Sequence, residues 1–374
     1  MDKEKALKNL YDYVRENNIF YQNLYKNLHG SITGSNMIPI LTRKLIREYG
    51  DLVISQTFNK TELVHDRTNG TTSKHLDIYK SMNECVQLGV ILQKTRMSID
   101  SANYKNLVLC KPKKNETECL NFLQFIEQKS IKWVQCSPST AYSLGMFLHK
   151  YDLKTNIRVL ELISEYLPQH YRDFIESVFN CKTFIQYGCH EVWAMGFEDE
   201  NKKINVMESV IVENEDDDRF TQGYGKCIVT NLIVKSMPFI RYELNDIIKI
   251  EEDKTIKTYG YRANDTIYIK DIAIHCSFFD RILHLMINID FSPLNKYQIV
   301  YNTETIYIYV INSYEKLMKL RGDLINLIFQ EYGCKVDLQI IKTNNFFIDK
   351  NSQKMRAILK QEDCENQFYD KYFK

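Results

Sequence analysis

Residues 107–150 read LVLCKPKKNETECLNFLQFIEQKSIKWVQCSPSTAYSLGMFLHK. Leu107–Leu109 is a short apolar run, and Trp133–Val134 is another. Between and after them, Cys119–Glu127 and Ser139–Lys150 carry apolar side chains at helical spacing. Alternation of this kind predicts a layered α/β domain. Toward the N-terminus, Val86–Leu92 adds a further apolar stretch to the alternation. Leu7, Leu10, Tyr11 and Val14 recur at the period of a helix. Thr42 can cap a helix that carries Leu45 and Ile46 and stops near Gly50.

The last ~110 residues have a different order. Thr266–His275 reads as a strand and Phe278–Met286 as a helix. Tyr297–Tyr301 and Thr305–Ile311 read as a hairpin about Asn302. Ser313 can cap a long helix through Leu317, Leu320, Leu324, Leu327 and Ile328, which Gly333 ends, and Val336–Ile341 follows as a strand. The order βαββαβ predicts a small α+β unit of ferredoxin-like type. The boundary falls near Tyr261–Asp265, giving a large N-terminal layered α/β domain over 1–262 and a small C-terminal domain over 263–374. The acidic run Glu213–Asp218 reads as a solvated loop.

Composition narrows the function classes. The chain has 374 residues, longer than one ordinary compact core. Its 49 Lys and Arg against 48 Asp and Glu leave a formal charge of +1, which gives no global attraction to nucleic acid or an anionic membrane. No stretch reaches the ~18 apolar residues that would span a bilayer. The N-terminal Met1-Asp2-Lys3-Glu4-Lys5 leads into an amphipathic pattern rather than a signal sequence. Ten scattered cysteines, none in a CxxC pair, predict free thiols in a reducing cytoplasm and no structural zinc.

Five short segments carry chemistry. Thr68-Asn69-Gly70-Thr71-Thr72-Ser73-Lys74 offers hydroxyls and close backbone approach at a glycine, as a phosphate cradle needs, but GxxxxGK[ST] is absent. Gln186-Tyr187-Gly188-Cys189-His190-Glu191 follows the strand-like Thr183–Ile185 and can set an aromatic ring beside a base and a carboxylate beside a metal–phosphate. Asp246, in Arg241-Tyr242-Glu243-Leu244-Asn245-Asp246, can accept both hydroxyls of a ribose. Gly260-Tyr261-Arg262-Ala263-Asn264-Asp265 lies at the domain boundary. Asn351-Ser352-Gln353-Lys354-Met355-Arg356 is a basic loop after the last strand. Taken singly, each also fits a plain structural role: a polar turn, a first-turn carboxylate, an ion pair, a linker, a solvated charge.

In order and spacing together, the five resemble the adenylate-forming superfamily, and within it the phenylacetate–CoA ligase and CapK-like branch. Pro39-Ile40-Leu41-Thr42-Arg43-Lys44 is similar to that branch's early segment, so the resemblance spans nearly the whole chain. It implies an ATP-dependent ligase that forms an acyl-AMP and passes the acyl group to a thiol. Thr68, Asn69, Gly70, Thr71 and Thr72 match the phosphate loop, with Ser73 in place of a glycine and His75 in place of a proline. Tyr187, Gly188, His190 and Glu191 match the Y-G-x-x-E motif. The resemblance puts Tyr187 against adenine and gives Glu191 a share in holding Mg²⁺.

Asp246 and Arg262 match the ribose-binding pair, Asp265 the hinge between domains, and Lys354 the catalytic lysine of the C-terminal motif. Asn245, Tyr261 and Gln353 each stand where the family carries glycine. Trp133, Ser137, Ser139, Tyr142 and Ser164-Glu165 fall near the acyl pocket, whose aromatic walls suit an aryl or arylacetic acid, although Trp133 and Tyr142 equally suit core packing. The implied cofactors are ATP, Mg²⁺ and coenzyme A. The second nucleophile is open between CoA, a carrier-protein thiol and an amine, and a non-catalytic nucleotide binder is the remaining alternative. The implied partner is a small carboxylic acid, with neither nucleic acid nor membrane; the oligomeric state is open, a homodimer included.

Overall fold

The computed structural model describes residues 2–26, 38–68, 75–113, 115–216, 223–262, 265–270, 272–276, 278–279, 282–283 and 297–366. The chain opens with α1 (Lys3–Asn17), α2 (Ile19–Leu24) and α3 (Arg43–Tyr49). The apolar period of α1 does what it predicts: Leu7, Leu10, Tyr11 and Val14 are its buried face. Thr42 caps α3 by accepting the Leu45 N–H at 3.3 Å. Gly50 ends the helix at φ 55°. Just before α3, Leu41 forms a parallel bridge to Tyr242, with N–H···O distances of 2.8 and 2.9 Å to Arg241 and from Glu243.

An antiparallel pair, β1 (Val64–Arg67) and β2 (Asp77–Lys80), leads into α4 (Met82–Ile99). The apolar stretch Val86–Leu92 therefore lies inside a helix. A capping box fixes its start. Ser81 Oγ accepts the Glu84 N–H, while the Glu84 carboxylate accepts the Ser81 N–H at 2.7 Å. A continuous apolar run does not distinguish strand from helix by period, and here the cap decides.

The alternation that follows is as predicted. It runs β3 (Leu107–Leu109), α5 (Glu116–Gln128), β4 (Trp133–Cys136), α6 (Pro138–Lys150), β5 (Val159–Ile163), α7 (Gln169–Phe179) and β6 (Lys182–Cys189). Strands β3 to β6 pair in parallel. They continue antiparallel through β7 (Trp193–Glu198), β8 (Ile204–Val206), β9 (Val210–Asp216), β10 (Gly225–Asn231), β11 (Tyr242–Ile250) and β12 (Thr255–Arg262). The result is one ten-stranded sheet in the order β3-β4-β5-β6-β7-β8-β12-β11-β10-β9. Its two faces bury separate apolar clusters, as a layered sheet must. Glu213–Asp216 of the acidic run belongs to the edge strand β9 rather than to a loop.

The remainder is the smaller α+β domain. The single strand expected over Thr266–His275 is instead a hairpin, β13 (Thr266–Ile269) and β14 (Ile272–His275), because Lys270 turns the chain at φ 49°. Residues 278–279 and 282–283 of the expected helix are helical; 280–281 and 284–286 lie outside the described residues. Then come β15 (Tyr297–Tyr301), β16 (Thr305–Val310), α8 (Tyr314–Tyr332) and β17 (Asp337–Lys342). The hairpin turns on Asn302, whose Oδ1 accepts from the N–H groups of Glu304 and Thr305. Gly333 ends α8 at φ 68°.

The last strands are β18 (Ile348–Asp349), β19 (Lys354–Met355), β20 (Ile358–Lys360) and β21 (Cys364–Glu365). Strands β18, β19 and β21 form a second small sheet that holds the basic loop. Strand β20 returns parallel to β15 and completes the order β17-β16-β15-β20. Among the described residues, no helix is long and apolar enough to cross a membrane.

Candidate active site

Strand β6 carries Tyr187 to the middle of the large sheet and turns at His190–Val192 into β7. The turn requires its glycine, because only a residue without a side chain lets the strands come so close. A Cβ on Gly188 would lie 1.9 Å from the Trp193 carbonyl oxygen. The Tyr187 hydroxyl donates to Asp246 Oδ2 at 3.0 Å. Arg262, paired across strands with Asp246, brings its Nε to 3.5 Å from Asp246 Oδ1. Burial, reinforced by the Asp246 charge, holds the Tyr187 phenol well above its ordinary pKa, so it stays a donor. Three residues expected at the nucleotide site, from three segments, thus form one cluster.

Asn245 has φ 61° and precedes a bulge in the β11–β12 pairing between Asp246 and Ile248. A glycine fits there freely; asparagine is the side chain that tolerates the left-handed region best after it. Gln353 likewise sits at φ 54°. Two positions at which the resembling motifs carry glycine therefore fall where the backbone favours glycine.

Glu191 is 5% exposed, and its Oε1 accepts from the Tyr242 hydroxyl at 3.0 Å. Lys80, at the end of β2 and only 3% exposed, donates to the His190 carbonyl at 2.8 Å and faces Glu191, Asp66 and Cys189. Burial lowers the lysine's pKa, and those acidic neighbours oppose the shift. The His190 ring approaches Asp66 Oδ2 at 2.9 Å, tying the turn to β1. Glu191 fits Mg²⁺ chemically: a carboxylate is a hard oxygen donor, and Mg²⁺ at a nucleotide needs one or two of them beside water and phosphate. Among the described residues no three His, Cys, Asp or Glu are grouped as a protein cage.

Thr68 closes the base of the segment expected to cradle phosphate. Its Oγ1 accepts from the Leu76 N–H at 2.9 Å and from Arg43, and its backbone pairs with Leu76. Asn69, Gly70, Thr71 and Thr72 lie outside the described residues, as do Ser73 and Lys74. Arg43 also faces the Tyr242 phenol as a positive neighbour. Sequence reasoning did not assign a role to Arg43, Lys80 or Tyr242; the early PILTR segment was the signal for Arg43, and none existed for the other two.

At the C-terminal ends of β4 and β5 the expected acyl residues separate into two groups. Ser137 caps α6, its Oγ accepting the Thr140 N–H at 3.2 Å. Glu165 accepts from the Ser139 N–H at 3.0 Å and the Ser139 hydroxyl at 2.8 Å. Tyr142 stacks on Tyr171 with ring centroids 3.9 Å apart, a favourable aromatic contact. Trp133, by contrast, is wholly buried, its indole N–H donated to Glu161, which also binds Arg96 through two hydrogen bonds.

Lys354 lies in the same site. Its charged neighbours are Arg262, Glu165, Asp246 and Arg356, which come from both parts of the chain. Burial lowers its pKa, the Arg262 charge adds to that, and the two carboxylates oppose it. The Lys354 charge and the Met355 main chain both favour the ionised Glu165 carboxylate. Burial pushes Glu165 up to about 7 against these effects and the Ser139 hydrogen bonds. Next in sequence, Arg356 Nη2 reaches Asp265 Oδ1 at 2.9 Å, while Asp265 Oδ2 accepts the Arg262 N–H at 3.0 Å.

This arrangement, a ten-stranded mixed sheet followed by a small α+β domain, has a fold like that of solved acyl-CoA ligase structures. No protein-family model matches the chain, and no curated protein matches it by sequence. Among solved structures it is similar to 2-hydroxyisobutyryl-CoA ligase. The TM-score is 0.61 to the postadenylation state with 2-HIB-AMP, at 15% identity, covering 96% of this chain and 88% of that one. To the open conformation with 2-HIB-AMP and CoA it is 0.60, at 15% identity, covering 95% and 90%. To the thioesterification state it is 0.57, at 14% identity, covering 99% and 91%.

Proposed function

We propose that the protein activates a small carboxylic acid with ATP and transfers the acyl group to a thiol, coenzyme A in the first instance. The observation that carries this reading is the convergence of Tyr187, Asp246, Arg262 and Lys354, from four separate segments, around one charged cluster. In the first step a substrate carboxylate oxygen bonds to the α-phosphorus of ATP, and the bond to the bridging oxygen breaks, releasing pyrophosphate. Asp246 and Arg262 hold the ribose, and Tyr187 flanks the base. Lys354 neutralises charge between the carboxylate and the α-phosphate, two anionic groups that must be brought into contact for the bond to form. Glu191 would hold Mg²⁺, which when bound supplies charge neutralisation on the leaving pyrophosphate.

In the second step a thiolate sulfur attacks the acyl carbon and AMP leaves. For that step the small domain turns about Asp265, which takes Lys354 away. The domain boundary accordingly lies between 1–262 and 263–374. The stacked Tyr142–Tyr171 wall beside Ser139 favours an aryl or arylacetic acid, and with it the phenylacetate–CoA ligase branch. The similar 2-hydroxyisobutyryl-CoA ligase makes a short hydroxy acid the natural comparison. Isotope exchange between pyrophosphate and ATP over a panel of aryl, arylacetic and short hydroxy acids tests the reading, with and without CoA. Absence of exchange with every acid would refute it.

A further inference from the structure

Lys80 is a buried cation in a place where packing alone asks for none. It ends β2, where its backbone pairs with Val64 of β1. The next residue, Ser81, caps α4 through Glu84, and that carboxylate also accepts the N–H groups of Lys235 at 2.7 Å and Ser236 at 2.9 Å. The root of the lysine is thus fixed on both sides. Its ammonium donates to the His190 carbonyl, 110 positions along the chain, at 2.8 Å. Among the described residues this is the ammonium's one hydrogen bond. Burying an ammonium is costly, and a leucine or methionine would fill the same space without that cost. The use of the charge lies in the contact it makes.

That contact bears on Glu191. The His190 carbonyl belongs to the planar peptide unit that ends at the Glu191 Cα, so holding its oxygen sets where the Glu191 side chain begins. A second residue of the same hairpin, Asp66 on β1, holds the His190 ring at 2.9 Å. Tyr242 fixes the far end of Glu191 at 3.0 Å, and Asn231 Nδ2 donates to the Val192 carbonyl at 3.4 Å. The hairpin closes at Thr68, whose N–H donates to the Leu76 carbonyl at 3.0 Å. We propose that Lys80 is a positioning residue: through the His190 carbonyl it locks the turn that carries Glu191 to the β1–β2 hairpin, so that the carboxylate meets the metal and phosphates of ATP in one fixed place. The inference rests on the proposed role of Glu191 with Mg²⁺. Lys80 touches neither the nucleotide nor the metal. It acts on metal–phosphate binding and not on the nucleoside half of the site, which Tyr187, Asp246 and Arg262 form.

The test uses the full chain with Lys80→Met, which fills the same space and should fold. Calorimetric affinity for α,β-methylene-ATP with Mg²⁺ should fall about tenfold, the scale of losing a residue that orients a metal ligand. Affinity for AMP without metal should be unchanged, whereas loss of a merely structural lysine would weaken both ligands alike. Without ligands, hydrogen exchange at the amides of residues 191–193 should quicken, while residues 228–230 of β10, in the interior of the sheet, stay protected. Equal loss for both ligands, undiminished affinity for the Mg²⁺ complex, unchanged exchange at the turn, or a Lys80→Met chain that does not fold would overturn the proposal. A wild-type protein that binds neither ligand would sink the ligase reading instead, and the exchange comparison would then decide whether Lys80 locks the turn.

Discussion

Arg356 and Asp265 form an ion pair at 2.9 Å that joins the loop carrying Lys354 to the segment following β12. Asp265 is buried and holds its second oxygen on the Arg262 N–H, so the pair links the small domain to a residue that also pairs with Asp246. The Lys354 loop and the Tyr187–Asp246–Arg262 cluster are thus coupled through a single carboxylate. Arg356→Ala should lower stability by about 1.5–3 kcal/mol, the usual loss for a hydrogen bond to a charged group. Urea titration measures it, and a change below the error of the midpoint would remove the pair from the structural account.

Asp246→Asn keeps an acceptor for the Tyr187 hydroxyl but removes the charge facing Arg262. Affinity for an acyl-adenylate analogue should fall about ten- to hundredfold with little loss of fold. Calorimetric titration decides, and undiminished affinity would take Asp246 out of the nucleotide site.

Lys354→Ala should slow adenylation by on the order of 10²–10³-fold and spare the second half-reaction. The lysine is partly buried rather than solvated, yet it lies at a loop end, so the fold should persist. Separate single-turnover measurements of the two steps provide the check; parallel losses would contradict the assignment.

Gln353 is held in the left-handed region, at φ 54°. Gln353→Gly should stabilise the chain by roughly 1 kcal/mol, because a glycine meets no Cβ penalty there. Part of that gain is offset by the freer unfolded chain and by the lost hydrogen bonds of the glutamine side chain to Lys350 and Glu365. A denaturation midpoint that falls on substitution would show that those bonds outweigh the strain.

Glu165 also gives stability a pH dependence of defined sign. Its carboxyl titrates near 4.5 in the unfolded chain and at about 7 in the folded one. Between those values the folded protein holds a proton that the unfolded chain has released, so stability falls as pH rises through the window and levels off above it. Glu165→Gln should flatten that slope. Denaturation at pH 5, 6, 7 and 8 in both proteins measures it, and parallel profiles would place the group elsewhere.

Local sequence was enough for the features that a few neighbouring residues decide. The helical period chose the buried face of α1, the Thr42 hydroxyl and Gly50 bounded α3, and Asn302 turned the β15–β16 hairpin. Spacing along the chain also singled out Tyr187, Asp246 and Arg262, which the structure brings together. Val86–Leu92 was not legible as helix, nor Thr266–His275 as a hairpin. An apolar run has no period of its own, and a cap or a single positive φ settled each. Which polar groups meet was a matter of tertiary packing. The Tyr187–Asp246 bond joins residues 59 positions apart, and Arg356–Asp265 joins residues 91 apart. The nearness of Lys354 to Arg262 and Asp246 depends on how the two parts of the chain pack. Local propensity acts over a turn or two of chain, whereas these bonds form only once packing has brought distant segments together.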